Sequence, residues 1–267
     1  MILRRLISLL ILLLLAPVAA ADNLPPRIKS PRDGAEMVLI PAGPFEYGYG
    51  RNQRDVEKLI KKLKASWADM YATEIPKRTV ELPDYYIDRF EVTNQLYGRF
   101  IKETRRKPPR YLRWPQYNAP RQPIVGVGWG EAEAYCKWAG KQLPSEEEWE
   151  KAARGTDGRL WPWGNEPDDT RYNGKKQANY STLMVGSFPA GDSPYGVADM
   201  AGNVWEMTSS QWKDQSKAMR GGSYLNPPAE ARTTVRWAAA EKSAQEGASW
   251  LGFRCVMDAA SARQSAR

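Results

Sequence analysis

Oxygen-bearing side chains and glycines occur together between Tyr195 and Trp212, in the stretch YGVADMAGNVWEMTSSQW. Asp199, Asn203 and Glu206 stand there at short spacing. Hard cations such as Ca²⁺ bind several side-chain and carbonyl oxygens at once, so this spacing is compatible with a cation site. A turn and a strand with Asp and Asn as capping residues explain the same pattern. Spacing alone favours the turn.

Histidine is absent from the 267 residues. Its absence excludes a Ser-His-Asp triad, a Cys-His nucleophile, histidine-ligated zinc and the two-histidine iron site. Acid–base chemistry would therefore fall to carboxylates, lysine or tyrosine. The formal charge of +8 is spread along the chain, which indicates a solvated basic surface with weak attraction for anions. The sequence contains no nucleic-acid motif and no haem, flavin or nucleotide motif.

The elements that must position these residues are short. The 21 Gly and 20 Pro predict a loop-rich chain. Trp129–Ala139 is predicted as a helix that Gly140 ends, and Ser145 with Glu148 forms a capping box that starts a second central helix. Short strands are predicted at 37–40, 45–49, 79–82, 85–87 and 124–127, and a further helix at 94–104. This is an α+β pattern, although the pattern alone does not select one fold.

The N-terminal segment predicts export. Residues 1–21 combine Arg4 and Arg5, an apolar run and small residues, which is typical of a signal peptide. An uncleaved membrane anchor is the alternative, but the run is short for a spanning helix. We expect a periplasmic or secreted protein whose residues 22–36 form an extended lead-in.

Residues 52–71 predict an amphipathic basic helix. Its apolar positions recur at helical spacing, with lysines between them, at Val56, Leu59, Ile60, Leu63, Trp67 and Met70. Packing of this stripe on the domain is one interpretation. The alternative is a docking face for a partner protein or an anionic membrane surface.

Several stretches of the chain resemble one family in its order. They are MVLIPAGPFEYG (37–48), YYIDRFEVTNQLYGRFI (85–101), PIVGVGWGEAEAYCKWAGKQLPSEEEWEKAARG (123–155), WPWGNEP (161–167), GNVWEMTSSQW (202–212), RGGSY (220–224) and LGFRC (251–255). Together they resemble the formylglycine-generating enzyme family, also called sulfatase-modifying factors. The resemblance implies an α+β domain over 37–258, loop-rich and related to the C-type lectin fold, in which 52–71 is an insertion and 259–267 a disordered tail.

The two cysteines are Cys136 and Cys255. An exported chain with two cysteines can form one bridge. Both stand where the family carries a structural disulfide, so the resemblance implies a Cys136–Cys255 bond. Two buried free thiols are the alternative.

The chemistry of the family depends on a reactive cysteine pair after RGGS, whose thiolates bind copper(I). Residues 224–237, YLNPPAEARTTVRW, contain no cysteine. We therefore expect neither a copper site nor formylglycine formation.

The resemblance also implies two calcium sites. One would use Asn179 and the carbonyl of Tyr180, but the acidic loop that completes it in the family is missing here. The other would use Asp199 with the carbonyls of Gly202 and Val204. With the resemblance added, a cation at Asp199 becomes the favoured interpretation.

A pocket could survive without the cysteines. Its candidate lining residues are Trp205, Ser223, Tyr224, Arg232, Arg236 and Trp250. Two arginines could hold a carboxylate, and Glu206 could act as a base if it were desolvated. Structural ion pairs for the arginines and core positions for the tryptophans are the simpler alternatives.

Three functions fit this pattern. The first is an exported pseudoenzyme that acts as a binding or accessory module for a periplasmic protein or small molecule. The second is an oxidoreductase-type tailoring enzyme on the same scaffold, similar to the branch that matures the pyoverdine chromophore. The third is a ligand-display protein, which the near-absence of Asn from 224–250 disfavours.

Overall fold

Ten short strands form three sheets in the computed structural model, which describes residues 24–63, 72–177, 180–212 and 216–265. The first sheet has the order β1-β2-β5-β10, the second pairs β3 with β4, and the third has the order β8-β7-β6-β9. The strands are β1 (Arg27–Lys29), β2 (Glu36–Ile40), β3 (Gly43–Tyr47), β4 (Arg78–Leu82), β5 (Tyr85–Asp88), β6 (Trp205–Gln211), β7 (Lys217–Arg220), β8 (Arg236–Ala238), β9 (Leu251–Gly252) and β10 (Val256–Asp258).

Six α-helices and several 3₁₀ turns join these strands within the described residues. The helices are α1 (Gln53–Leu63), α2 (Asn94–Thr104), α3 (Trp129–Trp138), α4 (Glu146–Arg154), α5 (Glu241–Glu246) and α6 (Ala259–Ser265). The predicted capping box is confirmed, since Ser145 and Glu148 exchange hydrogen bonds at the start of α4. The predicted α+β fold with two central helices, α3 and α4, and many irregular loops is also confirmed.

The two central helices carry the core. Buried residues of α3 pack with those of β6, β7 and the C-terminal strands in one large apolar cluster. The predicted Cys136–Cys255 disulfide is confirmed, and it ties α3 to the residue that precedes β10. Because it bridges a sequence separation of 119 residues, it removes much chain entropy from the unfolded state.

Two terminal segments are more ordered than the sequence indicates. The lead-in contains a strand, because β1 lies antiparallel to β2. The tail is not disordered over its described part: α6 forms at 259–265, and Ala259 packs on Met37, Tyr86 and Met257 of the first sheet. Small apolar residues dock this helix, which the polar composition of 259–267 did not predict.

The insertion helix packs as the simpler interpretation predicts. Val56 and Leu59 of α1 are buried in the main core. Trp67 and Met70, like the proposed signal peptide at 1–21, lie outside the described residues. None of the helices in the described part of the chain is long and apolar enough to cross a bilayer.

Candidate functional site

A cavity of about 430 Å³ opens beside the third sheet, where the chain leaves β7. Trp205, Ser223 and Trp250 line it, as the sequence predicts. Other residues complete the wall: Lys175, Met219, Leu225, Asn226, Pro227, Glu230 and Trp237. Three indoles, one amide, one carboxylate and one ammonium therefore face a single space.

Asn226 organises this cavity. Its Oδ1 accepts hydrogen bonds from the Ser223 backbone N–H (2.9 Å), the Ser223 hydroxyl (2.8 Å) and Trp205 Nε1 (3.0 Å). Its Nδ2 donates to Glu230 Oε2 at 2.7 Å. The Asn226 backbone N–H also closes a turn onto the Ser223 carbonyl. The Asn226 amide thus holds three lining residues of the cavity in place. Few of its hydrogen-bonding positions remain for a ligand.

Sequence reasoning did not select Asn226, Glu230 or Trp237. A general signal for Asn226 was available, because Asn is frequent in turns. Glu230 and Trp237 gave no comparable signal, since their approach depends on the path of an irregular loop.

The side chains that line the cavity are better suited to binding a ligand than to catalysis. The Ser223 hydroxyl donates to the Asn226 amide oxygen, and no carboxylate in the described part of the chain accepts a hydrogen bond from it. Both cysteines are in the disulfide, so no thiolate is present in the chain. Indole faces attract planar rings and cations, and Glu230 keeps a second oxygen for an amine. Lys175 has no ion pair within the described residues.

The two candidate arginines do not line the cavity. Arg232 is fully buried and makes two hydrogen bonds with the Glu74 carboxylate, at 2.6 and 2.5 Å. Arg236 pairs with Glu146 and lies over the Trp212 ring, 4.7 Å from its centroid. Neither arginine is in the lining of the cavity, and each forms a structural ion pair, which is the simpler alternative predicted from the sequence.

Glu206 and Tyr224 are also directed elsewhere. Successive residues of a strand point to opposite faces, so Trp205 faces the cavity and Glu206 the core. Glu206 is fully buried and pairs with Arg254 through both oxygens at 2.6 Å, which removes it as a base. The Tyr224 hydroxyl contacts those of Tyr117 (3.2 Å) and Ser249 (3.1 Å), and burial raises its pKa. Tyr224 therefore lies outside the cavity lining, between the lining residues Ser223 and Leu225 in the chain.

The second predicted calcium site has a matching environment. Asp199 and Asn203 both adopt left-handed backbone conformations (φ 57° and 59°), which gives the DMAGN loop a tight turn. Asp199 Oδ2 accepts the Gly186 N–H at 2.6 Å. Glu91 lies beside it, buried, with Oε1 bonded to Asn203 and Oε2 without any partner.

The charges around this loop do not balance. Glu206 pairs with Arg254, and neither Glu91 nor Asp199 forms an ion pair within the described residues. Desolvation raises the pKa of both carboxyl groups. The charge of Asp199 raises the pKa of Glu91 further, whereas a hydrogen bond from Glu91 lowers the pKa of Asp199. A carboxylate oxygen without a partner beside a second carboxylate is chemically compatible with a divalent cation, for which the carbonyls of Gly202 and Val204 would have to complete the ligand set.

Other parts of the calcium prediction are weaker. No group of three or more Cys, Asp or Glu side chains within the described residues is arranged to hold a metal. The site at Asp199 would therefore need backbone oxygens. Asn179 lies outside the described residues, and Tyr180 is largely exposed.

Comparison with known families identifies the scaffold. A model of the Sulfatase-modifying factor enzyme 1-like domain matches residues 24–259. The chain belongs to the sulfatase-modifying factor family. Its relatives in that family include Bacillus subtilis YfmG, an uncharacterized protein that is 31% identical over 69% of this chain, and this chain spans 43% of YfmG.

Two further family comparisons cover more of both proteins. The bovine inactive C-alpha-formylglycine-generating enzyme 2 is 32% identical over 84% of this chain and 88% of its own length. Among solved structures, PvdO from Pseudomonas aeruginosa superposes with a TM-score of 0.68 and 26% identity, covering 87% of this chain and 97% of PvdO. These similarities confirm the fold and the family resemblance.

Proposed function

We propose that this sulfatase-modifying factor protein is a binding or accessory module that does not form formylglycine. The observation that carries the proposal is Asn226. In the stretch where the resemblance implies thiolates, the chain has an amide that makes four hydrogen bonds with Ser223, Trp205 and Glu230. The walls of a pocket are intact, and the redox group is missing from the sequence.

The lining defines the class of ligand. Three indoles favour a planar or cationic organic group, since each face can stack on a ring or attract a positive charge. Glu230 can accept a hydrogen bond from an amine of the ligand, and Lys175 can form an ion pair with an anionic group of the ligand. We infer a small organic molecule, or the side chain of a partner, that carries a ring and an amine.

A ligand screen with two matched variants tests the pocket. Thermal shift is measured with a library of small amines, aromatic amines and amino acids on wild type, Trp250→Ala and Trp114→Ala. Trp250 lines the cavity, whereas Trp114 is an exposed indole on a separate loop. Hits should weaken at least tenfold in Trp250→Ala and stay unchanged in Trp114→Ala. Equal loss in both variants, or none in either, would contradict the assignment.

A tailoring enzyme is the second candidate, and the similarity to PvdO supports it. The chain supplies no evident redox group, so the substrate would have to react readily with oxygen itself. Oxygen uptake on addition of an immature pyoverdine chromophore, absent from Trp250→Ala, would favour this candidate over the accessory role.

We also propose export and a calcium ion. The Cys136–Cys255 disulfide supports an oxidising compartment, as the N-terminal pattern of 1–21 does. N-terminal sequencing of the protein recovered from the exported fraction should begin near Asp22. The carboxyl pair Glu91–Asp199 supports calcium at the DMAGN loop.

A further inference from the structure

The chain concentrates positive charge in the loop after α2. Residues 105–130 contain no Asp or Glu, and six basic residues, all exposed, stand in the first part of this range: Arg105, Arg106, Lys107, Arg110, Arg113 and Arg121. Arg106 pairs with Glu131 at 2.7 Å. The other five form no ion pair within the described residues, so their charge is available to an external anion.

Exposed apolar side chains gather around the same loop. The large hydrophobic residues that are exposed in the described part of the chain are Trp114 (49%), Tyr180 (63%), Met184 (52%) and Leu225 (42%). Trp114 belongs to the loop itself. The other three belong to segments that contact it, although they are far from it in sequence.

Hydrogen bonds join these three segments to residues 116–121 of the loop. Next to Tyr180, the Ser181 hydroxyl donates to the Gln116 carbonyl at 2.8 Å. Next to Met184, the Val185 N–H donates to the Arg121 carbonyl at 2.9 Å. Next to Leu225, the hydroxyls of Tyr224 and Tyr117 lie 3.2 Å apart. We call this set of residues, 105–121 with Tyr180, Met184 and Leu225, the basic-aromatic face.

The basic-aromatic face is supported from beneath. The Trp114 ring packs edge-on against Tyr111, with centroids 5.2 Å apart, and lies 6.4 Å from Tyr117. The Gln122 amide donates to the carbonyls of both Gln116 and Thr182. Trp114 is therefore held at the surface by packing.

We propose that the basic-aromatic face docks on an anionic lipid bilayer. Trp and Tyr prefer the headgroup region, and exposed Arg and Lys bind lipid phosphates. A membrane is favoured over an acidic protein because Trp114, Tyr180 and Met184 are single exposed apolar side chains close to exposed arginines, a combination that suits the headgroup region of a bilayer. Because Leu225 also lines the cavity, docking would bring the mouth of the pocket beside the bilayer.

Vesicle co-sedimentation tests this proposal. The protein is purified after any N-terminal processing in the cell. The vesicles contain phosphatidylcholine alone or with an equal part of phosphatidylglycerol. The charge variant is Lys107→Ser/Arg113→Ser, and the control is Lys58→Ser/Lys61→Ser on the exposed side of α1, which loses the same charge. Binding should require phosphatidylglycerol and fall about twentyfold in the charge variant, with little change in the control.

Trp114→Ser separates lipid insertion from simple charge attraction. It should weaken vesicle binding severalfold without affecting binding to heparin, a soluble polyanion. Equal losses in the α1 control and the charge variant would overturn the proposal, as would binding to heparin without binding to vesicles. The latter result would identify a polyanion or acidic protein as the partner.

Discussion

At the scale of single residues, a carboxyl pair decides how the DMAGN loop responds to pH. Desolvation raises the pKa of Glu91 and Asp199, so the folded protein retains a proton that the unfolded chain releases above about pH 4. The folded state then binds more protons than the unfolded state, and this pair lowers stability as pH rises through that range. A cation at the same place would replace the proton and remove the loss.

Asp199→Asn tests this account through thermal unfolding at pH 5 and pH 7.5, with EGTA or calcium. Wild type in EGTA should lose more stability between the two pH values than the variant. Calcium should stabilise wild type at pH 7.5 by about 3 kcal/mol at a hundredfold excess over Kd, and the variant hardly at all.

The matched control for this series is Asp157→Asn, which removes an exposed carboxylate paired with Arg159. It should keep the calcium response of wild type. A calcium shift of equal size in Asp199→Asn would show that the cation binds elsewhere.

At the scale of elements, a buried ion pair ties the chain after the insertion helix to the loop before β8. Glu74 holds the guanidinium of Arg232, and Thr234 donates to the same carboxylate. Arg232 has no exposed surface, so the loss of its counter-charge leaves a cation in a low-dielectric environment. The insertion is therefore anchored by charge as well as by Val56 and Leu59.

Glu74→Gln should reduce the free energy of unfolding by about 3–5 kcal/mol, measured by urea denaturation. Glu166→Gln is the matched control, because Glu166 pairs with Lys62 of α1 at the surface, at 3.3 Å. That substitution should change the free energy of unfolding by less than about 0.5 kcal/mol. Comparable losses in the two variants would mean that Arg232 finds compensation that the structure does not show.

The same elements show how far sequence reasoning reached. Periodicity and caps located α2, α3 and α4, because these signals are local. Family resemblance located the Cys136–Cys255 disulfide and the pocket tryptophans. The partners of Arg232 and Arg236 could not be predicted, since Glu74 and Glu146 are distant in sequence and approach through irregular segments. Glu206 was predicted as a pocket residue because the sequence pattern does not show which face of β6 it occupies.

At the scale of the whole molecule, the fold separates three surfaces with different chemistry. The tryptophan-lined cavity lies beside the third sheet, the carboxyl pair lies under the DMAGN loop, and the basic-aromatic face surrounds the loop after α2. Only the cavity occupies the region where the resemblance implies catalysis, and Asn226 stands there as a structural clamp. The scaffold of the family is thus kept, and we propose that its redox reaction is not, because residues 224–237 contain no cysteine.

The most direct test of this account is mass spectrometry of a peptide that carries the sulfatase cysteine motif. The peptide is incubated with the purified protein, copper(I) and oxygen, beside a formylglycine-generating enzyme as positive control. The account predicts conversion by the control and an unmodified cysteine with this protein. Conversion of the cysteine to an aldehyde by this protein would contradict the account, because no thiolate pair in the chain could have performed it.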